Sequence, residues 1–547
     1  MSLRDRFRRE RDREGPQGIA VSLRSHNRPG TPRAARRRGI SPLLLLAIAL
    51  SAIFYLLAHY SIIEGVWPVH GIAPGAGSVL FRDAVAWIGW LLLLPALRLL
   101  GYRGNWAVVV IPIVIFFLAR PALFQLFSDP VYQARGEARF EANALKAERS
   151  QLTTILRTYD DERLSSVFED EVPVLPEPIE AVREATGSDG RPGSRLSSAL
   201  SVMLAPLAVL LGFVLATRRG ALRWFRDHRE IPFAAALGIF FVLTTFFVEL
   251  GRVRGTTPWE LFLPIFIGAW AALLADDAYN LARPGAMLAP RRILVLLLYG
   301  AIPIVPFLII RELGLSVVLA GSLATMLLVG TRREWWAGLM LGVWVVLVVA
   351  AFNLDTRSQT RLQLAIDPYR DLSTMTVPEA ESWAAAMHQF KLFDANILAG
   401  GIFGEGPGRG HAETAPNAAD DGYITTIAAQ WGLLGTLSLV LLYSALIVEL
   451  LSVAVRERSA FERSLVTGLA MLLAIPFWMS ALGGVRAVPL TGVATAFAAS
   501  GGAKLLASSF AIGIVAAISH RRVEADRLEA AGESMHARPE EQGVQIR

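Results

Sequence analysis

The sequence predicts an all-α polytopic membrane protein with about 12 transmembrane helices and large extracytoplasmic loops. Three observations carry that prediction. Of 547 residues, 53% are hydrophobic and only 18% are charged, whereas soluble domains carry roughly a quarter charged residues. Mean hydropathy is +0.45. Several unbroken apolar runs reach about 20 residues, enough to cross ~30 Å of hydrocarbon at about 1.5 Å per residue. A soluble enzyme is excluded. The chain has no cysteine, which also excludes disulfides, iron–sulfur clusters, thiolate zinc sites and a cysteine nucleophile.

Residues 1–41 read as a disordered basic cytoplasmic tail. Residues 1–40 hold twelve Arg against four acids, so the tail carries +8 of a net charge of +6 and the rest sums to −2. Few apolar residues among Gly, Pro and Arg argue for disorder. Such tails also bind nucleic acid or anionic lipid. Here an apolar span follows directly, which favours the plain cytoplasmic end of a membrane protein, with membrane lipids and not nucleic acid as its surroundings. A cleavable signal peptide is not expected, because the first apolar run starts at about Leu43.

N-terminal transmembrane helices occupy 42–125, with spans at 42–63, 82–101 and 105–125. An acidic extracytoplasmic segment, 126–196, follows with fourteen acids against nine bases. Within it, 136–167 has the spacing of one or two amphipathic helices, and 172–195 reads as a linker rich in Pro, Glu and Gly. The first part of the core, 197–353, holds spans at 197–217, 231–250, 259–276, 291–311, 315–331 and 335–353. A second extracytoplasmic segment of catalytic type covers 354–421. C-terminal spans at 422–452, 463–482 and 496–518 fill 422–518, and 519–547 is a tail. Each span satisfies its backbone internally as a helix. With the N-terminus inside, Arg218, Arg219, Arg223, Arg226, Arg229, Arg332, Arg333, Arg456, Arg458, Arg521 and Arg522 all fall on the inner side. The positive-inside rule therefore places both termini in the cytoplasm.

Ionisable residues at membrane depth are functional candidates because they are costly there. Glu260 starts a span. Arg311 and Glu312 mark a span boundary, where interfacial snorkelling is the plain alternative. Arg486 and Lys504 flank the last span near Pro489 and Ser500. In the run RLQLAIDPYRDL, Arg361, Asp367, Arg370 and Asp371 follow the end of an outward-going helix. A carboxylate there suits a general base or a divalent-cation ligand against a pyrophosphate, with a solvated loop as the alternative. Downstream, AGGIFGEGPGRGH carries glycines at 400, 401, 404, 406, 408 and 410. No strand precedes it, so it is not a dinucleotide fingerprint. Its glycines suit a close backbone approach to a phosphate or another helix. His388 and His411 lack the spacing of a metal pair.

The order of these segments resembles the RodA/FtsW/SpoVE (SEDS) family, as a divergent member. PWEL at Pro258–Leu261 stands where the family has Pro-Ser-Glu-Leu. IIRELGLSVVL, with Glu312, Leu313 and Gly314, is similar to its Gln-Pro-Asp-Leu-Gly-Thr segment. RLQLAIDPYRDL matches its Arg and Asp-Pro-x-x-Asp-Pro through Arg361, Asp367, Pro368 and Asp371. Gln389 followed by Gly400, Gly401, Gly404 and Gly406 resembles its Gln and glycine run. DDGYITTIAAQWGLLG, with Asp421, resembles Thr-Asp-Phe-Ile-Phe followed by Glu-Glu-x-Gly. VPLTGVATAFAASGG, with Pro489, Gly492, Ser500, Gly501 and Gly502, is similar to the closing Pro-, Ser- and Gly-Gly-bearing pattern. Six motifs recur in order across about 200–520, with the family core of ten helices preceded here by about two more.

The departures are specific. Trp259 replaces the family Ser, and Leu263 the Lys three residues after its Glu. Ile310 and Arg311 replace Gln and Pro, Leu372 replaces a Pro, and Glu405 replaces the Lys of the glycine run. Ala429 and Gln430 stand at the Glu-Glu pair.

The resemblance implies a peptidoglycan glycosyltransferase that polymerises lipid II at the outer face of the bacterial cytoplasmic membrane, in elongation, division or sporulation. It implies Asp371 as the base, with Arg361, Arg370, Arg409, Glu260, Glu312 and Gln389 binding substrate. Glu260 reads as a buried structural or substrate-path carboxylate and not as the base. A divalent cation, Mg2+ or Mn2+, is compatible with this chemistry, and no organic cofactor is implied. The implied partner is a class B penicillin-binding protein. A lipid-linked precursor flippase, an O-antigen ligase or polymerase, and a catalytically silent scaffold are the competing readings.

Overall fold

The computed structural model describes residues 39–73, 75–132, 196–253, 258–282, 290–309, 313–331, 333–352, 377–415, 417–489 and 492–536. The expected disorder of the tail before residue 39, the helix and linker expected at 136–167 and 172–195, and the tail after 536 lie outside the described residues. The chain divides into two units, Met1–Ser41 with Asp526–Arg547, and Pro42–Ala525. In the first, residues 526–536 are helical. The second holds everything discussed below.

The protein is an all-α membrane protein, with no strand among the described residues. Its helices are α1 (Pro42–Gly65), α2 (Ala76–Leu99), α3 (Ala107–Ser128), α4 (Leu196–Thr217), the short α5 (Arg219–Asp227), α6 (Glu230–Val253), α7 (Leu263–Ala282), α8 (Pro290–Ala301), α9 (Ile304–Ile309), α10 (Leu313–Thr331), α11 (Glu334–Phe352), α12 (Val377–Gly400), α13 (Tyr423–Arg456), α14 (Ala460–Gly484) and α15 (Gly502–His536). Each predicted span holds helix. Among the described residues nine helices are long and apolar enough to cross a membrane, and three spans carry shorter apolar stretches, at Glu230–Val242, Leu294–Leu308 and Glu334–Val349.

Local chemistry explains where the boundaries moved. The span at 291–311 breaks into α8 and α9 at a turn containing Pro303, which has no N–H to continue the ladder. The last helix begins at Gly502, not at 496. Residues 492–501 form turns instead, with Gly492 (φ 74°) and Phe497 (φ 64°) in the left-handed region. α12 was not predicted at all. Its sequence is too polar for a span, but it is rich in Ala, Leu, Met, Glu and Gln, which are good helix formers. Pro378 lies in its first turn, and Gly401 (φ 51°) follows its end, the usual asymmetry of helix termini.

α3 is apolar on all faces, as a central helix must be, and nearly every residue in it is buried. It packs against α1, α2 and α13. Near its end, Leu123 and Leu126 meet Trp383, Phe390, Leu392 and Phe393 of α12. α14 forms a second centre against α7, α10 and α13.

A buried charge cluster ties α1, α2 and α3 together. Asp83 is fully buried and pairs with Arg82 at 2.9 Å and Arg120 at 2.8 Å. His59 approaches its other oxygen at 3.5 Å, and the Tyr55 hydroxyl donates to its backbone carbonyl at 2.9 Å. Asp83 lies seven residues into α2 and Arg120 eight residues before the end of α3. At about 1.5 Å per residue both sit ~10 Å from the same end of the bundle. Such groups persist in an apolar setting only when paired.

Candidate functional site at one end of the bundle

The glycine run leaves α12 and doubles back along the start of α13. Gly401, Gly404, Gly406, Gly408 and Gly410 all have positive φ, from 51° to 105°. α13 bends sharply at Gly432 (φ 63°, ψ −165°), and the run is laced to this bend by backbone hydrogen bonds. Glu405 N–H donates to the Ala429 carbonyl at 3.0 Å and Gly406 N–H to that of Gln430 at 3.0 Å. In return, Leu433 N–H reaches Gly401 O at 2.9 Å and Leu434 N–H reaches Ile402 O at 3.1 Å. A Cβ on Gly404 would fall on the Gln430 carbonyl, and one on Gly432 would fall on the Gly404 nitrogen. Of the two uses the sequence allowed for these glycines, the structure displays close packing of backbone on backbone.

A polar chain runs beneath the loop. Gly408 N–H donates to Gln430 Oε1 at 3.4 Å, and Gln430 Nε2 donates to Gln125 Oε1 of α3 at 2.7 Å. Gln125 Nε2 reaches Glu413 Oε2 at 3.4 Å, and His411 Nδ1 lies 3.3 Å from Glu413 Oε1. Gln125, Gln430 and Glu413 are all buried, while His411 is half-buried.

The 412–422 segment and the stretch before α15 close the same end. The Ser500 hydroxyl donates to Asp420, and Ser500 N–H donates to the Ala419 carbonyl at 2.8 Å. Asp421 is buried, its carbonyl accepts from the Ser480 hydroxyl at 2.9 Å, and Gly492 lies against its carboxylate. Arg486 pairs with Asp394 of α12 at 2.8 Å, yet burial still holds the Asp394 carboxyl above its ordinary range. Across the bundle, Glu260 in the 3-10 turn Pro258–Phe262 meets Lys504 of α15 at 3.6 Å, both buried.

The structure thus joins the PWEL turn to the closing Gly-Gly helix, the glycine run to Gln430, and Asp421 to Gly492. Gly314 is buried at the start of α10, Pro489 precedes the closing turns, and Gly501 and Gly502 open α15. Arg409 is exposed on the run and Gln389 is half-buried in α12, where its Nε2 makes no hydrogen bond to the described residues. Arg361, Asp367, Pro368, Arg370, Asp371 and Glu312 lie outside the described residues. No group of three or more His, Asp or Glu side chains able to hold a metal occurs among the described residues.

Sequence reasoning missed Gln125, Glu413, the partner of Lys504 and the Asp83 cluster. A signal existed for some of them: Arg120 and Gln125 interrupt an otherwise apolar helix, the pattern that marks intramembrane polar sites.

A helical bundle that gathers a glycine-laced loop, a buried acid–lysine pair and a closing Gly-Gly helix at its ends defines a class of polytopic membrane protein with a site built from interrupted helices. The profile of the cell cycle protein family of FtsW, RodA and SpoVE matches residues 246–524, just over half of the chain, and the chain belongs to that family. It is 29% identical over 231 residues to the peptidoglycan glycosyltransferase RodA of Mycobacterium tuberculosis, covering 42% of this chain and 47% of that protein. The RodA of Mycobacterium leprae is 30% identical over the same shares. The probable peptidoglycan glycosyltransferase FtsW of Geobacter metallireducens is 25% identical over 313 residues, 54% of this chain and 79% of that one. The chain therefore spans about half the length of the Mycobacterium relatives. Among solved structures, a chain of a peptidoglycan synthase complex aligns with TM-score 0.41 and 20% identity over 59% of this chain and 90% of its own. The rod shape determining protein RodA of Thermus thermophilus aligns with TM-score 0.30 and 18% identity over 59% and 96%.

Proposed function

We propose that this protein polymerises lipid II at the outer face of the bacterial cytoplasmic membrane, as a peptidoglycan glycosyltransferase with both termini in the cytoplasm. The observation that carries the proposal is the family match over 246–524, which encloses the six ordered motifs. Relatives named as peptidoglycan glycosyltransferases agree with it. In the reaction, the 4-hydroxyl oxygen of one disaccharide-pentapeptide forms a bond to the anomeric carbon of a chain bound to undecaprenyl pyrophosphate. The anomeric carbon–oxygen bond breaks, and the pyrophosphate leaves with its electron pair.

Asp371 takes the acceptor proton, which requires its carboxylate within hydrogen-bond range of that hydroxyl. Arg361, Arg370 and Arg409 stabilise the charge that builds on the leaving group, while Glu260, Glu312 and Gln389 line the substrate path. A divalent cation, Mg2+ or Mn2+, would share that charge neutralisation at the pyrophosphate. A class B penicillin-binding protein is the partner that would cross-link the product.

The test uses the full chain in detergent with Mn2+, fluorescent lipid II, and a candidate transpeptidase present or absent. Glycan ladders that disappear in Asp371→Ala are the expected result. A folded protein that yields no ladder with any partner overturns the proposal and turns attention to flipping or scaffolding.

A further inference from the structure

One backbone amide fixes every hydrogen-bond direction in the polar chain beneath the glycine run. Gly408 N–H can only donate, so the Gln430 atom that faces it is Oε1. The Nε2 of Gln430 must then donate to Gln125, whose facing atom is Oε1. That turns Gln125 Nε2 toward Glu413, which accepts as a carboxylate. Flipping any amide would set donor against donor or acceptor against acceptor, and the mismatch is costly because Gln125, Gln430 and Glu413 are buried.

A Glu at 430, the residue of the family pattern, could accept from Gly408 but could not donate to Gln125. The amides at 430 and 125 are therefore a matched pair. Gln430 holds the run twice, through its side chain to Gly408 and through its carbonyl to Gly406. The run also rests on α1, since a Cβ added at Gly408 would come within 2.9 Å of Ile62. Both α1 and α3 lie outside the matched stretch 246–524.

We propose that Gln125 is a positioning residue of this site: through Gln430 it fixes the shape of the glycine run, and through Glu413 it fixes the His411 ring. The N-terminal helices are then part of the site's machinery. The link to turnover rests on the polymerase reading, whereas the link to loop geometry does not.

Two readouts keep them apart. Glu405 is exposed on the run and the chain has no native cysteine, so Glu405→Cys accepts a single spin label. In this background Gln125→Leu removes both hydrogen bonds at similar volume, and Gln125→Glu sets two carboxylates face to face. Adding Glu413→Gln to Gln125→Glu restores the hydrogen bond between the two positions, because the amide at 413 can donate to the carboxylate at 125. Label motion should rise in Gln125→Leu and Gln125→Glu and return to the wild-type spectrum in the double variant. With lipid II, kcat should fall about tenfold in Gln125→Glu and recover in the double variant. If Gln125→Glu does not fold, rescue of folding by Glu413→Gln supports the pairing and failure to rescue overturns it. Unchanged label motion in folded single variants also overturns it. A wild-type protein that makes no glycan sinks the polymerase reading, and the spin label then decides this inference alone.

Discussion

The Glu260–Lys504 pair can be put to a quantitative test. Its charged atoms are 3.6 Å apart, and both side chains are buried, at 5% and 1% exposure. Coulomb attraction at that distance is about 5 kcal/mol with an effective dielectric constant of about 20. Lys504→Met removes the cation and leaves the buried Glu260 carboxylate without that ammonium, at a cost of roughly 3–5 kcal/mol. Glu260→Gln strands the ammonium and should cost a similar amount. The double variant removes both charges, so it should regain most of the loss. A double-mutant cycle measured by reversible denaturation in mixed micelles should return a coupling energy of about 2 kcal/mol or more. A coupling below about 0.5 kcal/mol, within the range of independent sites, would refute the reasoning and reduce the pair to neighbours in space.

Other variants test other parts of the molecule. Asp83→Asn leaves Arg82 and Arg120 without their shared carboxylate, and thermal denaturation should show a loss of at least about 3 kcal/mol. Arg82→Gln in the same background should recover part of it. Gly404→Ala, at φ 81° and against the Gln430 carbonyl, should lose more than about 2 kcal/mol, whereas the exposed neighbour Glu405→Ala should change stability by less than about 0.5 kcal/mol. Glu457 lies between α13 and α14, where burial and then the Glu462 carboxylate push its carboxyl from 4.5 up to about 7. The folded state holds that proton more tightly than the unfolded state, so this residue favours folding at low pH and loses that contribution as pH rises through about 7. The melting temperature of Glu457→Gln minus that of the wild type should therefore grow between pH 4.5 and 7. A difference that stays flat across that window contradicts the assignment.

Much of the fold was legible because lipid imposes a simple rule. An apolar run of about 20 residues must be helical, and its flanking charges orient it. Hence helix appears in every predicted span, and the proline-broken α8–α9 is the main internal surprise. α12 escaped because it is not apolar enough to be a span, although Pro378 and Gly401 mark its two ends. Its helix is stabilised by burying Trp383, Phe390 and Phe393 on α3 and the 412–419 segment, a tertiary fact. The site was half legible. Glycines and an isolated Glu260 announce themselves in one dimension, but partners do not. Lys504 lies 244 positions from Glu260 in the numbering, and Gln430 lies 305 from Gln125. At 430, a side chain that departs from the family pattern fits once its distant amide partner is known.

The central position of α3 separates two boundaries that are often treated as one. The family profile begins its match at residue 246, but the folding unit begins at Pro42. A fragment cut where the profile match begins would bare the faces of α12 and α13 that α3 covers and leave Gln430 reaching for an amide no longer there. Grafts between this protein and its relatives should therefore carry Pro42–Ser128 together with the C-terminal helices, because the ancestry of a segment does not mark where it can be severed.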